Sequence, residues 1–362
     1  MKTGRHGRVS NRREGRQHPG SGGWRIGFPL LGVVAFWGLA MLGGCARGIN
    51  APVWPQGEAP RGTLATHTLV VDGVSRRYAL YLPAAEKSGP YALVLELHGG
   101  GVTIDDMTGE SGYKTPYKLW MPLADAEGVV VVYPEGRPGA YGKPTWNDCR
   151  GDATVSSQAD DVRFIGVLLE HLLSTYSIDP RRVYVSGTSN GGLMALRLAV
   201  EMPTRLAAVA AVAAAMPAHS ECPPPSHPLS VLFMNGTRDA HLPYEGGTVS
   251  RPPKPSFGTV QSTAASVALW VKVDGADPEP VVHRFPDLDP HDGSTVVRYT
   301  YGHGVGGTQV VLYRIEGGGH AAPSMAQQYS WLYEWRFGHQ NHDIEMVQEV
   351  WQFFRDKRVL GP

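Results

Sequence analysis

Short apolar segments alternate along the chain with longer segments in which apolar residues recur every three or four positions. The short segments are rich in Val, Leu and Tyr, which favours strands. They are His67–Val71, Tyr78–Leu82, Ala92–Leu97, Val129–Tyr133, Val183–Ser186, part of Leu206–Ala215, Val231–Met234, Val296–Tyr301 and Gln309–Ile315. The longer segments predict helices over Asp160–Tyr176, Gly191–Glu201 and Asp343–Phe354. Strands that alternate with helices favour βαβ units, so we expect an α/β fold with a mostly parallel sheet flanked by helices.

The composition is that of a folded protein with no excess charge. The 362 residues include 33 Lys+Arg and 33 Asp+Glu, which balance to a net charge of zero, and 42% of the residues are hydrophobic. A disordered chain would need lower hydrophobicity and a higher net charge. Nucleic-acid binding calls for a basic surface, which this composition does not indicate. We therefore expect a globular protein without a nucleic-acid partner.

The amino terminus differs from the rest of the chain in charge. The first 45 residues contain seven cations and one anion, and the uncharged run 26–44 ends at Cys45. A basic region, an apolar run and small residues before a Cys resemble the signal peptide of a bacterial lipoprotein, whose Cys is lipidated. We expect a signal peptide over 1–44, a tether over 45–65 that begins with the lipidated Cys45, and one folded domain over 66–362.

A transmembrane anchor is the alternative for this terminus. The run 26–44 has 19 uncharged residues, which are nearly enough to cross a bilayer. Either anchor places the folded domain on the extracytoplasmic side of a membrane.

Two further cysteines, Cys149 and Cys222, lie in the expected folded domain. Outside the cytoplasm an even pair favours a disulfide, with two buried free thiols as the alternative. The sequence contains neither a CxxC pair nor an HExxH motif, so it indicates no metal site.

A candidate nucleophile lies in the segment Gly187–Gly191, which reads GTSNG and fits the pattern GxSxG. The segment stands between a predicted strand and a predicted helix, which is the context that a nucleophile elbow requires. Small residues on both sides of Ser189 permit the sharp turn, and the hydroxyl then projects above the sheet. Ser189 is therefore the candidate nucleophile.

A serine hydroxyl is a weak nucleophile, so it needs a base and an acid that orients the base. Asp239 follows the predicted strand Val231–Met234, and His320 follows Gln309–Ile315 in a glycine-rich loop. Both side chains are thus expected at strand ends, where they could reach the serine, although Asp239 could instead be a turn or cap residue. The alternatives to His320 are His303, His339 and His342, each expected at the surface.

An oxyanion that forms during ester cleavage needs two N–H donors. One is expected from Asn190, directly after the candidate nucleophile, and the other from the HGGG segment His98–Gly101. Gly100 is the preferred second donor, and its neighbour Gly101 remains open. His98 is expected to stabilise this loop through hydrogen bonds.

The segment Gly302–Gly307 fits the dinucleotide-binding pattern GxGxxG. It lies between two predicted strands and no helix follows it, whereas dinucleotide binding requires a helix amino terminus at the phosphates. We therefore expect a hairpin loop here and no cofactor.

Motifs spread over residues 66–356 resemble, in order, the polyhydroxybutyrate depolymerase and feruloyl esterase family of secreted serine esterases. They are Leu95–Gly100, Val130–Gly136, Trp146–Cys149, Ala159–Ile165, Asp179–Gly192, Asn235–Gly247, Ile315–Pro323 and Val350–Phe354. The resemblance implies an α/β-hydrolase fold with Ser189 as nucleophile, Asp239 as acid and His320 as base. It also implies that the reaction needs no metal and no organic cofactor.

The chain departs from the family after the candidate base. The family commonly has Thr-Trp-Pro there, and this chain has Ala321-Ala322-Pro323. Another aromatic side chain is therefore expected to form the wall of the acyl pocket, and Trp146 and Trp331 are the candidate substrate-binding residues. The alternative is that both tryptophans serve ordinary packing or lie on the surface.

Together these features predict a membrane-tethered, extracytoplasmic hydrolase of carboxylic esters, acting on feruloyl or acetyl esters of plant polysaccharide. The alternative substrate is a polyhydroxyalkanoate polyester. The alternative from another class is a non-catalytic lipoprotein that binds a ligand on the same scaffold.

Overall fold

The computed structural model describes residues 59–84, 89–113, 115–249 and 257–361. The expected signal peptide, Cys45 and the tether up to residue 58 lie outside the described residues. The first strand begins at Thr63, so residues 63–65 belong to the sheet and not to the tether. Within the described part of the chain, no helix combines the length and the apolar character needed to cross a bilayer.

The described residues form fourteen strands and seven α-helices. The strands are β1 Thr63–Val71, β2 Val74–Leu82, β3 Tyr91–Leu97, β4 Val129–Pro134, β5 Arg137–Pro138, β6 Pro144–Thr145, β7 Ile178–Thr188, β8 Ala208–Val212, β9 Ser230–Gly236, β10 Gly247–Thr248, β11 Thr259–Val260, β12 Val281–Arg284, β13 Thr295–Tyr301 and β14 Val310–Glu316. The helices are α1 Ile104–Thr108, α2 Trp120–Glu127, α3 Asp161–Thr175, α4 Asn190–Glu201, α5 Thr263–Asp274, α6 Trp331–Phe337 and α7 Met346–Phe354.

Ten of the strands form one sheet in the order β1-β2-β4-β3-β7-β8-β9-β14-β13-β12. The six central strands, from β4 to β14, pair in parallel. Antiparallel pairs add two strands at each edge. The predicted mostly parallel sheet is therefore confirmed, and its arrangement is that of the α/β-hydrolase fold.

Two apolar cores lie on the two faces of this sheet. One core includes buried residues of α3, α4 and α5, and the other includes buried residues of α1, α2 and α7. Strand β3 shows the alternation, since Leu93 and Leu95 belong to the first core and Ala92 and Val94 to the second. A strand covered on both faces is apolar at nearly every position, and in β3 the one charged residue is Glu96.

The segment Gly302–Gly307 connects the antiparallel strands β13 and β14, so the predicted hairpin loop is confirmed. The last helix begins at Met346 and not at Asp343, because Glu345 is still in an extended conformation (φ −104°, ψ 112°).

The parallel centre of the sheet brings three loops to one edge. Strands β7, β9 and β14 run in the same direction, with β8 between the first two, and all end at this edge. Ser189, Asp239 and His320 lie in the segments that follow these strands. Open α/β sheets bind their ligands at the carboxyl ends of their strands, so this edge is where a site is expected.

Candidate active site

Ser189 lies at the tip of a sharp turn between β7 and α4. Its backbone has φ 57° and ψ −122°, a strained conformation for a residue other than glycine. The surrounding backbone leaves no room for side chains at two positions. A Cβ atom at Gly187 would lie 2.4 Å from Gly191 O, and one at Gly191 would lie 2.2 Å from Leu97 O. The turn thus has the geometry of a nucleophile elbow.

A chain of hydrogen bonds joins Ser189, His320 and Asp239. His320 Nε2 lies 2.9 Å from Ser189 Oγ, and His320 Nδ1 lies 2.6 Å from Asp239 Oδ2. The second oxygen, Asp239 Oδ1, accepts the backbone N–H groups of His241 at 2.8 Å and Leu242 at 2.7 Å. A carboxylate at Nδ1 keeps the proton on that nitrogen, so Nε2 is free to accept the serine proton.

The backbone of His320 is held by the segment around α6. Its N–H donates to Phe337 O at 2.6 Å, and its carbonyl accepts the Tyr333 hydroxyl at 2.8 Å. Gly319 packs so closely on this segment that a Cβ atom there would lie 2.4 Å from Gly338 Cα. The imidazole is therefore fixed through its main chain as well as through Asp239.

The glycine-rich loop after β3 faces the elbow. The Gly101 N–H group donates to Pro144 O at 2.8 Å, so it is already used within the loop. The Gly100 N–H group makes no hydrogen bond to another described residue, and Gly100 lines the same pocket as Ser189 and Asn190. Asn190 begins α4, where backbone N–H groups lack partners inside the helix. Of the two glycines, Gly100 is therefore the one whose N–H group is not already used within the described loop.

His98 stabilises this loop, as expected. Its buried ring accepts the Gly136 N–H group at Nε2 (2.9 Å), and Nδ1 lies 2.8 Å from Gly99 O. These partners place the proton on Nδ1. Burial lowers the pKa of His98 to about 4, which keeps the ring neutral. The ring is therefore a structural bridge between two loops.

The side chain of Asn190 is tied to the loop Trp146–Arg150. Its amide bonds the backbone of Trp146 twice, accepting the N–H at 2.7 Å and donating to the carbonyl at 3.1 Å. The same amide donates to the Asp148 carboxylate. Asp148 in turn accepts two hydrogen bonds from the Arg150 guanidinium, at 2.9 and 2.7 Å.

Sequence analysis did not assign a role to Asp148 or Arg150. The signal available was the segment Trp146–Cys149 within the family resemblance. Asp148 and Arg150 are only two positions apart, but Asn190, to which Asp148 is hydrogen-bonded, is distant in the sequence. Their side chains are almost wholly buried, so this pair fixes the residue that follows the candidate nucleophile.

Cys149 and Cys222 form a disulfide, with their Cα atoms 5.5 Å apart. The predicted pairing is thus confirmed in the structure. Because Cys149 lies between Asp148 and Arg150, the bond attaches this loop to the segment around Cys222.

A pocket of about 250 Å³ opens beside Ser189. Its wall is mostly apolar, aromatic or glycine, with two cations, and includes Gly100, Tyr141, Lys143, Arg150, Leu193, His241, Leu242, Val249 and Phe257. A larger cavity of about 760 Å³ lies elsewhere, beside Met121 and Glu345, and none of the described residues on its wall belongs to the triad or to the glycine-rich loop. We therefore take the hydrogen-bonded serine, and not the size of the cavity, as the mark of the candidate site.

The structure separates the two candidate tryptophans from this pocket. Trp146 is fully buried, its ring lies 4.8 Å from that of His98, and its Nε1–H donates to His98 O at 2.9 Å. Trp146 is thus not on the wall of the pocket as described, since its ring packs beneath the loop, and a contact with substrate stays a prediction. Trp331 begins α6, is 78% exposed and does not line the pocket, so contact with a substrate remains a prediction for it.

Sequence analysis also missed His241, two residues after the candidate acid. Its ring lines the pocket, with its centroid 4.8 Å from that of His320. The short interval between Asp239 and His241 in the sequence was the only available signal for His241.

Of the other histidines considered as a base, His303 lies exposed on its hairpin, where Nδ1 is 2.6 Å from Asp277 Oδ2.

A buried carboxyl group lies below the elbow. Glu96 on β3 is paired in register with Ser186 on β7, and its Oε2 accepts the Trp120 Nε1–H at 2.8 Å. Burial raises the pKa of Glu96 to about 8. The group is therefore a neutral acid at neutral pH.

Known proteins similar to this chain are esterases and depolymerases. A family model described as Esterase PHB depolymerase matches residues 76–222. A curated protein of Nocardia uniformis subsp. tsuyamanensis named "Putative esterase NocK" is 33% identical over 275 residues, which cover 72% of this chain and 74% of that protein.

Two further relatives have more specific names. Feruloyl esterase B of Piromyces equi is 28% identical over 199 residues, or 54% of this chain and 34% of that protein. Poly(3-hydroxybutyrate) depolymerase of Ralstonia pickettii is 32% identical over 152 residues, or 38% of this chain and 29% of that protein. The matches thus span about a third of the length of these two relatives.

Proposed function

The chain belongs to the esterase PHB depolymerase family and is a serine hydrolase of carboxylic esters, and we propose that Ser189, His320 and Asp239 are its catalytic triad. The observation that carries this proposal is the continuous hydrogen bonding from Asp239 through His320 to Ser189. Because the family is one of enzymes, we do not retain the alternative of a non-catalytic binding protein.

In the proposed reaction, His320 Nε2 takes the proton of Ser189 as Oγ attacks the ester carbonyl carbon. The backbone N–H groups of Gly100 and Asn190 stabilise the negative oxygen of the tetrahedral intermediate. The C–O bond to the alcohol then breaks, and the alcohol leaves with the proton from His320. A water molecule, deprotonated by His320, attacks the acyl-enzyme and releases the acid.

Feruloyl or acetyl esters of plant polysaccharide are the substrates that we propose. The similarity to a feruloyl esterase supports this class, as does the pair of rings at the pocket, since Tyr141 and Phe257 stack with centroids 6.4 Å apart. A polyhydroxyalkanoate polyester is the second candidate, because the match to the Ralstonia depolymerase reaches 32% identity. Release of ferulate from methyl ferulate, acetate from acetylated xylan and 3-hydroxybutyrate from polymer would distinguish the candidates.

Ser189→Ala tests the triad. It should lower kcat by about a thousandfold or more, because the covalent step is lost while the fold remains. Ser174→Ala, at an exposed position of α3, is the matched control and should leave kcat unchanged. Circular dichroism should show both variants folded. Retained activity in Ser189→Ala would refute the assignment.

The pocket can hold only a small part of a polymer, so the remainder must lie on the surface. Trp331 and Trp335 are 78% and 79% exposed and stand one turn apart on α6. The same helix holds the backbone of the proposed base through the Tyr333 hydroxyl. We propose that Trp331 contacts the polymeric part of the substrate. Trp331→Ala should then reduce turnover of polymer while leaving turnover of p-nitrophenyl acetate unchanged; equal effects on both would count against it.

We propose an extracytoplasmic location with a lipid anchor at Cys45. The basic and apolar order of the first 45 residues supports it, and so does the disulfide, a bond that persists mainly outside the cytoplasm. Cys45→Ser should move the protein from the membrane fraction to the soluble fraction of an expressing bacterium. A variant that stayed in the membrane would instead favour a transmembrane anchor.

A further inference from the structure

His241 lies against the proposed catalytic pair without belonging to it. Its backbone N–H donates to Asp239 Oδ1 at 2.8 Å, so the turn that orients the carboxylate also fixes the position of His241. Its side chain lines the pocket of about 250 Å³ beside Ser189. The residue therefore borders both the proposed catalytic imidazole and the space that substrate would occupy.

Three rings surround the imidazole of His241. Its centroid is 4.8 Å from that of His320 at an interplanar angle of 63°, 5.8 Å from Phe337 at 87° and 6.0 Å from Phe257 at 67°. Inclined, edge-to-face arrangements of this kind are the favoured geometry of aromatic pairs. The Phe337 ring also lies 6.0 Å from that of His320. Two rings thus confine the catalytic imidazole.

The surroundings of His241 hold its ring neutral. Burial lowers the pKa of His241 to about 3; the nearby charges of His320, Arg150 and Arg336 act in the same direction, and Asp239 acts against them. A neutral ring can remain in contact with His320 while that residue carries a proton during the reaction. A second cation at this distance would repel it.

We propose that His241 is a positioning residue for the catalytic base. Its ring holds the His320 imidazole within hydrogen-bonding distance of Ser189 and restricts the access of water to the bond between His320 and Asp239. Because His241 acts through His320, this role depends on the triad function proposed above.

Two substitutions distinguish the contribution of the His241 ring from that of its nitrogen atoms. His241→Phe keeps a neutral ring of similar size, and His241→Ala removes the ring. With p-nitrophenyl acetate, His241→Ala should lower kcat by about three- to tenfold and change KM by less than about twofold. His241→Phe should stay within about twofold of the unchanged enzyme. His291→Ala, at an exposed histidine, is the matched control and should have no effect.

The dependence of kcat/KM on pH is a second readout, because it responds to changes beside the catalytic imidazole and not to a loss of packing elsewhere in the protein. In His241→Ala, water gains access to the space beside the catalytic pair, and water stabilises charged groups. The acidic limb of the profile should therefore shift to higher pH, by about half a unit. In His241→Phe the limb should stay in place.

Two results would overturn the role of His241. One is a His241→Ala enzyme with unchanged kcat and an unchanged acidic limb. The other is a His241→Phe enzyme as slow as His241→Ala, which would show that the ring contact is not what matters. If His241→Ala is poorly folded by circular dichroism, the pH profile and kcat of His241→Phe decide the question. An unchanged enzyme without esterase activity would refute the proposed function instead.

Discussion

Replacing Asp148 with Asn should destabilise the protein by about 3–5 kcal/mol, the usual cost of removing one partner of a buried ion pair. The side chains of Asp148 and Arg150 are only 1% and 3% exposed, so water cannot replace the lost partner. The carboxylate accepts two hydrogen bonds from the Arg150 guanidinium, one from the Arg150 backbone N–H group and one from Asn190. An amide at this position would direct its own N–H group toward donors.

Thermal unfolding, monitored by circular dichroism, measures this loss of stability. For a domain of this size about 1 kcal/mol corresponds to 2–4 °C, so the Tm of Asp148→Asn should fall by about 6–20 °C. At a temperature where the variant is folded, kcat for p-nitrophenyl acetate should fall by about tenfold, because Asn190 loses one of its anchors and shifts the oxyanion donor.

Asp72→Asn is the matched control for this substitution. Asp72 pairs with Arg163 at 3.4 Å, but their side chains are 65% and 53% exposed. An exposed pair contributes about 0–1 kcal/mol, so the Tm should change little. A Tm shift for Asp148→Asn as small as that of Asp72→Asn would refute the reasoning from burial.

Three further predictions concern the supports of the site. Glu96→Gln should become more stable relative to the unchanged protein as pH rises from about 4.5 to 8. The pKa of Glu96 is raised to about 8 in the native state, so the native state keeps a proton that the unfolded state releases in this range, and only the unchanged protein loses stability there. A Tm difference between the two proteins that stays constant from pH 5 to 8 would contradict this. Replacing both Cys149 and Cys222 with Ser should cost about 4 kcal/mol by the loop-entropy relation, seen as a lower Tm, and an unchanged Tm would show that the bond contributes nothing. Gly191→Ala should yield little folded enzyme, since its Cβ would overlap backbone; a soluble, fully active variant would contradict the described turn.

The sequence was sufficient for those parts of the site that follow directly from a strand. Ser189, Asp239 and His320 each lie shortly after an apolar strand, and parallel strands end at a common edge, so their approach could be expected without coordinates. The helix α3 was also recognisable, because its apolar residues follow the helical period.

Features that depend on contacts between distant segments were not predictable. Trp146 was expected in the pocket because an aromatic residue near a site is a candidate for the wall of an acyl pocket. Instead its ring packs against the His98 ring and its N–H group donates to His98 O, 48 residues away. Helix α5 was not predicted because its apolar residues show almost no preferred face. The place of His241 beside His320 likewise depends on how two loops meet.

The carboxylate of Asp239 stabilises both a backbone turn and the His320 imidazole. One oxygen closes a turn by accepting two backbone N–H groups, and the other orients the imidazole of His320. An asparagine would set an N–H against one of these donors, and a glutamate would be one methylene too long for the turn. Substitutions at position 239 are therefore expected to be poorly tolerated even in assays that measure only folding. The loss of this carboxylate would disrupt the turn that it closes as well as the orientation of His320.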